Sequence, residues 1–225
     1  MLTLQEFAKY FDCIIEINYD FKEWTDKAKK YGVACCAVAP NNVADIKALL
    51  KGTDIKVSGA VAFPGGDSMP EAMLIDCRRC VDLGCDEIDY VINLTEVKQH
   101  RWGIVEEEMF QIAEFCRRNN VADKCIIENC ILTQEEKVKV LEIAREARPA
   151  FVKTTTGTRG SATVEDVRLM RSILGDSCKI KAAGGIKHYY DALAMIEAGA
   201  DRLGCSAAWD VIDGYAAYLE WLKQQ

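Results

Sequence analysis

Short apolar runs alternate along the chain with longer segments in which apolar residues recur every three or four positions. The short runs are typical of strands buried on both faces, and the longer segments have the period of amphipathic helices. The pattern predicts eight strands, at Cys13–Ile17, Val33–Ala39, Ile55–Phe63, Glu87–Asn93, Lys124–Asn129, Phe151–Thr156, Lys179–Ala183 and Arg202–Ala207. It predicts eight helices between and after them, at Phe21–Tyr31, Asn42–Leu50, Met69–Leu83, Val105–Asn119, Gln134–Arg148, Val164–Leu174, Tyr189–Ala198 and Val211–Lys223.

Eight strand–helix units are the number that closes an α/β TIM barrel, the (β/α)8 fold. Boundary residues agree with these units, since Thr133 opens a capping-box pattern and Gly84 and Gly175 follow helix ends. The sequence therefore predicts one barrel domain over residues 1–225, with an open doubly wound sheet as the alternative. In a barrel, functional side chains are expected at the carboxyl ends of the strands.

Charge and cysteine content narrow the function classes. The chain has 28 basic and 35 acidic residues and a net charge of -7, which argues against a nucleic-acid or anionic-membrane binder but permits a small anionic substrate. Many of the 11 cysteines lie in apolar runs, so we expect buried, reduced thiols and a cytoplasmic protein. The first residues do not have the pattern of a signal peptide, and no apolar run is as long as a membrane span.

Three charged residues within predicted strands are candidates for catalysis. Lys153 and Lys181 occupy adjacent strands and can both point into the barrel, where burial and mutual repulsion would favour a neutral, nucleophilic amine. Asp89 lies in another buried strand and needs a partner such as an ammonium group. The alternatives are lysines that extend to solvent and an ordinary hydrogen-bonded acid. Asp86 and Glu87 are expected to be solvated charges at the strand entrance.

Glycine-rich turns after the sixth and seventh strands can hold an anion. Gly157 opens one turn, and Gly184 and Gly185 open the next. Free backbone N–H groups there, with Arg159 or Lys187, would suit a phosphate. Glycines alone are weak evidence for a site, because turns need them anyway. The sequence contains no cluster with metal-ligand spacing, so no metal is expected.

Several segments together resemble the deoxyribose-phosphate aldolases, which are class I aldolases on a TIM barrel. The resemblance runs from about Val33 to Ala207 and rests on these segments: DEIDYVIN (86–93), KCIIEN (124–129), FVKTTTG (151–157), SATVEDVRLMR (161–171) and KAAGGIK (181–187). It implies reversible cleavage of 2-deoxy-D-ribose 5-phosphate into glyceraldehyde 3-phosphate and acetaldehyde. It implies no metal or organic cofactor, and a homodimer or homotetramer as the assembly.

The resemblance also implies roles for individual residues. Lys153 would form the Schiff base, Lys181 would perturb it, and Asp89 would take part in proton relay. Lys124 and Asp12 would bind substrate. The phosphate would lie against a set of small residues at the strand ends: Gly157, Gly184, Gly185, Gly204 and Ser206.

The chain departs from the family pattern around the substrate rather than around the lysines. The family's D-H-T-x-L segment is here Asp12-Cys13-Ile14-Ile15, and its G-x-S-S segment is Gly204-Cys205-Ser206-Ala207. Two alternatives therefore stay open: a related Schiff-base aldolase acting on another phosphosugar or aldehyde, and a non-catalytic barrel that binds a phosphorylated metabolite.

Overall fold

The strands close into a parallel barrel in sequential order. The computed structural model describes residues 1–15 and 18–225. Its strands are β1 Phe11–Ile14, β2 Cys35–Val38, β3 Lys56–Val61, β4 Glu87–Val91, β5 Ala122–Ile126, β6 Phe151–Lys153, β7 Lys179–Ala183 and β8 Arg202–Cys205. Because β1 pairs with β8 as well as with β2, the sheet is closed. The predicted TIM barrel is confirmed, and the open-sheet alternative is wrong.

Helices cover the outside of the barrel. Those in the described residues are α1 Leu4–Ala8, α2 Phe21–Tyr31, α3 Val43–Leu49, α4 Pro70–Asp82, α5 Leu94–Lys98, α6 Trp102–Arg118, α7 Gln134–Ala147, α8 Val164–Leu174, α9 Tyr189–Glu197 and α10 Ala208–Leu222. The sequence did not predict α1 and α5, because a helix of five residues is too short to display a period. An N-cap side chain stabilises the start of each of these helices: Thr3 caps α1, and Asn93 caps α5.

The bounds of two strands differ from those that the hydrophobic runs predict. The prediction of Cys13–Ile17 misses Phe11 and Asp12, and its last two residues, 16–17, lie outside the described residues. Strand β5 ends at Ile126 rather than Asn129, because Glu128 has a φ of 51° that turns the chain out of the sheet. The carboxyl ends of the strands are therefore shorter than predicted, which leaves more loop around the barrel mouth.

Apolar side chains fill the space between the barrel and its helices. All eleven cysteines have free thiols; Cys130 is half-buried and the others are buried, as expected of thiols that serve as small apolar side chains. Among the described helices, none combines the length and the hydropathy needed to cross a bilayer.

One carboxyl group lies in this apolar layer, away from the barrel interior. Glu108 of α6 is 1% exposed, and its Oε1 atom accepts a hydrogen bond from the Asn93 N–H at 3.0 Å. Its Oε2 atom has no partner among the described residues. Burial raises the pKa of Glu108 to about 7, although the Asn93 hydrogen bond opposes this shift. The folded protein therefore binds a proton here more tightly than the unfolded chain does.

Glu108→Gln should remove a loss of stability that the parent protein suffers as the pH rises from about 4 to about 7. Because the folded pKa lies above the ordinary value of about 4.3, the contribution of Glu108 to stability falls as pH rises from about 4 to about 7. Glutamine keeps the acceptor for Asn93 and does not titrate, so the variant should exceed the parent by about 2–3 kcal/mol at pH 8 and match it at pH 4. Urea unfolding at both pH values measures the difference, with the exposed Glu107→Gln as the control. The same pH dependence in all three proteins would contradict the assignment.

Candidate active site

Neighbouring strands bring four ionisable side chains into the barrel interior. Lys153 of β6 is the register partner of Lys181 of β7, and Asp89 of β4 is the partner of Lys124 of β5. Side chains alternate across a strand, and these four point inward because the outward positions face the helix layer. None of them is more than 2% exposed. The structure thus brings together all three predicted catalytic residues and Lys124.

The Asp89 carboxylate connects the three lysines. Its Oδ2 atom accepts hydrogen bonds from Lys153 Nζ at 2.9 Å and from Lys181 Nζ at 2.8 Å. Its Oδ1 atom accepts from Lys124 Nζ at 2.9 Å and from the Ser58 hydroxyl at 2.7 Å. Burial alone would raise the pKa of Asp89, but the three ammonium groups outweigh it and hold that pKa well below its usual range. Asp89 is therefore an anion whose oxygens are fully engaged.

A second group of charges lies behind these lysines. Asp12 Oδ2 is 2.7 Å from Lys181 Nζ and 2.9 Å from Lys124 Nζ. Glu87 Oε2 is 2.6 Å from Lys124 Nζ, and Glu87 Oε1 accepts from Arg202 at 2.9 Å. Arg202 also pairs with Asp12 Oδ1. We call these seven side chains the lysine network: Asp12, Glu87, Asp89, Lys124, Lys153, Lys181 and Arg202.

Glu87 and Arg202 correct the sequence analysis. Glu87 was expected to be solvated, but it is only 5% exposed and forms two ion pairs inside the barrel. The signal was present in the sequence, because Glu87 precedes Asp89 by two residues and so shares its face of the strand. Asp86 does lie at the rim, where it pairs with Lys47. The sequence pattern does not predict a role for Arg202, which opens β8 on the inward face of the barrel.

Lys153 differs electrostatically from Lys124. Burial lowers the pKa of Lys153, Asp89 opposes this shift, and the positive charges of Lys181 and Lys124 add to it, so that the pKa of Lys153 is about 8. For Lys124, burial acts in the same direction, but Asp12 and Asp89 outweigh it and raise the pKa well above its usual range. With a pKa near 8, about a tenth of Lys153 is the neutral amine at pH 7. The lysine network can thus supply a nucleophilic amine at this one position.

The charge balance of the lysine network agrees with a neutral Lys153. Three lysines and one arginine face three carboxylates, so the fully ionised network carries one excess positive charge. Loss of one proton makes it neutral. Lys153 makes a single ion pair in this network, to Asp89, whereas Lys181 makes two and Lys124 makes three. Lys153 is therefore the member whose deprotonation sacrifices the least pairing energy.

Three buried potential metal ligands already surround a cation of the chain. Ligand atoms of Asp12, Cys35 and Glu87 lie within 4.8 Å of one another. The Lys124 ammonium lies among them, 3.9 Å from Cys35 Sγ and in contact with both carboxylates. Burial, and then the charge of Glu87, raise the pKa of Cys35 well above its usual range, so the sulfur is a neutral thiol and a poor metal ligand. The two carboxylates, Asp12 and Glu87, therefore serve as counter-ions for Lys124.

A cavity of about 270 Å³ opens at the carboxyl ends of the strands, and its lining includes Gly157, Gly184, Gly185, Gly204 and Ser206, the small residues predicted to hold phosphate. Its lining comprises Ile14, Phe63, Thr156, Gly157, Thr158, Gly184, Gly185, Ile186, Gly204, Cys205 and Ser206. Gly184 has a φ of 88°, and a Cβ atom there would lie 2.8 Å from the Gly160 carbonyl oxygen. Side chains larger than glycine would therefore disrupt this wall. A larger groove, of about 840 Å³, lies between residues 1–4 and α10, away from the lysine network.

The cavity meets the lysine network at Phe63. The Phe63 ring lines the cavity, and its centroid is 5.6 Å from Lys153 Nζ. Asp12 and Lys124 are fully buried and do not line the cavity, so the structure places them with the network and not with the glycines. Arg159 and Lys187 do not line it either. The guanidinium of Arg159 instead donates to the carbonyl oxygens of Pro64 and Gly65.

Known proteins align with this chain over most of its length. The chain is 44% identical over 210 residues to the deoxyribose-phosphate aldolase of Lactobacillus acidophilus, covering 91% of this chain and 89% of the relative. It is 40% identical over 220 residues to the deoxyribose-phosphate aldolase of Thermococcus kodakarensis, covering 95% and 98%. No protein-family model matches the chain.

The fold is also similar to that of a solved structure. The deoxyribose phosphate aldolase of Aeropyrum pernix, described as a unique tetrameric structure, superposes with a TM-score of 0.88 at 22% identity. The alignment covers 96% of this chain and 93% of that one. At this identity the comparison establishes the shared barrel.

A closed parallel barrel with a buried lysine network at its mouth, together with these relatives, defines the class of protein. It is a class I aldolase, a carbon–carbon lyase. Within that class, the chain belongs to the deoxyribose-phosphate aldolase family.

Proposed function

We propose that this aldolase cleaves 2-deoxy-D-ribose 5-phosphate into glyceraldehyde 3-phosphate and acetaldehyde through a Schiff base on Lys153. The observation that carries the proposal is the Lys153 amine, whose pKa is lowered to about 8 at the junction of the lysine network and the glycine-lined cavity. A lysine in this state is a nucleophile near neutral pH. The names of the relatives support the choice of substrate.

The reaction begins when Lys153 Nζ adds to the C1 carbonyl of the open-chain sugar. The carbinolamine loses water and becomes an iminium ion. Removal of the C3 hydroxyl proton then breaks the C2–C3 bond and releases glyceraldehyde 3-phosphate, while the electron pair moves to the iminium nitrogen and leaves an enamine. Protonation at C2 restores the iminium, and the water molecule lost earlier is returned when hydrolysis releases acetaldehyde. Lysine supplies the electron sink throughout, so the cycle uses no metal or organic cofactor.

The other residues of the lysine network transfer protons or position the substrate. Asp89 and Lys181 contact each other at 2.8 Å beside Lys153, so they are placed to pass protons to and from the reacting atoms. Asp12 and Lys124 are the proposed substrate-binding residues, and their contacts with Lys181 and Asp89 give them a route to act on the substrate through those two residues. Backbone amides at Gly157, Gly184, Gly185 and Gly204, with the Ser206 hydroxyl, are the proposed phosphate ligands.

Phosphorylated substrate should be strongly preferred over free 2-deoxy-D-ribose. Two charge-assisted hydrogen bonds to the phosphate, at about 1.5 kcal/mol each, would raise kcat/KM by about a hundredfold. A coupled assay for the aldehyde products of each sugar measures the ratio. Ser206→Ala should lower the rate for the phosphosugar and leave that for deoxyribose unchanged. Equal kcat/KM for the two sugars would remove the phosphate site and favour an aldolase for another substrate.

We further propose that the chain is one domain, that it is cytoplasmic and that it assembles into a homodimer or homotetramer. Its free thiols suit a reducing compartment. The tetrameric description of the Aeropyrum pernix relative supports an oligomer. Light scattering of the purified protein distinguishes a monomer from a dimer or a tetramer.

A further inference from the structure

The loop after β3 lies directly beside the proposed nucleophile. Residues 62–66 connect β3 to the segment before α4, and Phe63 from this loop covers Lys153 at 5.6 Å between ring centroid and Nζ. Phe63 as a whole is 37% exposed. Phe63 therefore separates the Lys153 amine from solvent on the open side of the barrel.

Arg159 holds this loop from the opposite side of the cavity. Its Nη1 atom donates to the Pro64 carbonyl oxygen at 2.6 Å, and its Nη2 atom donates to the Gly65 carbonyl oxygen at 3.2 Å. Both carbonyls belong to the two residues that follow Phe63. The guanidinium thus connects the loop after β6 to the loop after β3 through a forked pair of hydrogen bonds, for which its planar shape is well suited.

A buried carboxylate anchors Arg159 in turn. Glu128 is fully buried, and its Oε2 atom lies 3.5 Å from Arg159 Nη1. Both Glu128 oxygens also accept from the Thr156 N–H, at 3.2 and 3.3 Å. The loops that follow β3, β5 and β6 therefore meet at one guanidinium. None of these contacts is needed to complete the barrel sheet, because all lie beyond the strand ends.

We propose that Arg159 is a positioning residue, which fixes loop 62–66 and with it the Phe63 ring over the Lys153 amine. The inference rests on the proposed function of Lys153 as the nucleophile. Arg159 does not touch the reacting atoms; it acts through Phe63. A phosphate ligand at this position is the competing interpretation, but Arg159 does not line the glycine cavity and its donors already serve two carbonyls and a carboxylate.

The surroundings of Lys153 determine how its pKa should change when Arg159 is replaced. Burial is the largest influence on its pKa and favours the neutral amine. The face of the Phe63 ring attracts an ammonium and favours the charged form, but this is the weaker influence at a buried lysine. Release of the loop should admit water to Lys153, so its pKa should rise towards the usual value.

The experiment compares Arg159→Met with the parent, and uses Arg168→Met as a matched control because Arg168 is exposed on α8. Labelling of Lys153 by acetic anhydride across pH, read by peptide mass spectrometry, reports the pKa of the amine whether or not the protein turns over. We expect the midpoint for Lys153 to rise by about one pH unit in Arg159→Met, which is about a tenfold loss of neutral amine at pH 7. Arg168→Met should not move it. Arg159→Lys should raise the midpoint less than Arg159→Met does, because the lysine ammonium can still donate to one of the two carbonyl oxygens.

A double-mutant cycle tests whether Arg159 acts through Phe63. Phe63→Ala should raise the midpoint by itself, and Arg159→Met should add little in the Phe63→Ala background. Independent, additive shifts would overturn the proposal. The proposal would also be overturned if Arg159→Met left the midpoint unchanged and only raised KM for the phosphosugar, since that result identifies Arg159 as a phosphate ligand. Absence of a borohydride-trapped adduct in the parent would refute the proposed function separately, because the labelling midpoint does not depend on it.

Discussion

Lys153→Ala should abolish both sugar cleavage and the covalent adduct that borohydride traps from an aldehyde. Lys153 is the network amine that meets the cavity, and its pKa is lowered to about 8 whereas that of Lys124 is raised, so Lys153 is the proposed electron sink. We expect the cleavage rate to fall by at least about a thousandfold. Peptide mass spectrometry should find the parent's adduct on the segment that contains Lys153.

The control for this experiment is Lys181→Leu, which removes the neighbouring ammonium and keeps the nucleophile. The positive charge of Lys181 lowers the pKa of Lys153, so its loss should move adduct formation to higher pH while the adduct stays on Lys153. Circular dichroism should show both variants folded, because Asp89 keeps at least two of its ammonium partners in each. An adduct on Lys181 in the parent would reverse the assigned roles, and no adduct with any aldehyde would rule out the proposed Schiff base on Lys153.

Asp89→Asn should separate imine formation from turnover. The amide cannot accept and release protons, so we expect cleavage to fall by about 10²–10⁴-fold. Trapping on Lys153 should persist and extend to lower pH, because the negative charge that raises the pKa of Lys153 is gone. The measurements are kcat on the phosphosugar and the pH midpoint of borohydride trapping.

Stability must be followed in the same variant, since three ammonium groups lose a partner. Breaking a buried pair costs about 3–5 kcal/mol, so the assays belong well below the melting temperature of the variant. Ser58→Ala is the matched control, because it removes a hydrogen bond to Asp89 Oδ1 and keeps the charge. Normal turnover in Asp89→Asn would rule out the proton-relay role, and a trapping midpoint that moves to higher pH would contradict the effect of the Asp89 charge on Lys153.

The sequence predicted the barrel because each strand–helix unit carries its own local signal. Period, capping residues and helix-ending glycines are properties of neighbouring residues, and eight repetitions of one unit determine the closed fold. Strand ends were less predictable. At β5 the apolar run continues to Ile127, but the left-handed backbone at Glu128 ends the strand, and that conformation follows from the contacts of the buried carboxylate with Thr156 and Arg159.

The sequence predicts those residues of the candidate site that the alternation of inward and outward side chains along a single strand can identify. Lys153, Lys181 and Asp89 stand out because each is a charge within an apolar strand. Glu87 and Arg202 stand at strand starts, where a solvated charge is the usual interpretation, and only the register between distant strands shows that they meet. The contact between Arg159 and the loop after β3 joins residues about ninety positions apart, and nothing in either segment alone indicates it.

The pairing of Asp12 with Arg202 links the first strand of the barrel to the last. Asp12 also contacts Lys124 and Lys181, so the charges around the reactive amine are complete only when the two ends of the sheet have met. An open sheet would leave these groups hydrated and Lys153 close to an ordinary lysine. Recovery of adduct formation during refolding should therefore follow ring closure, and a fragment that lacks β1 or β8 cannot assemble the full set of charges around Lys153.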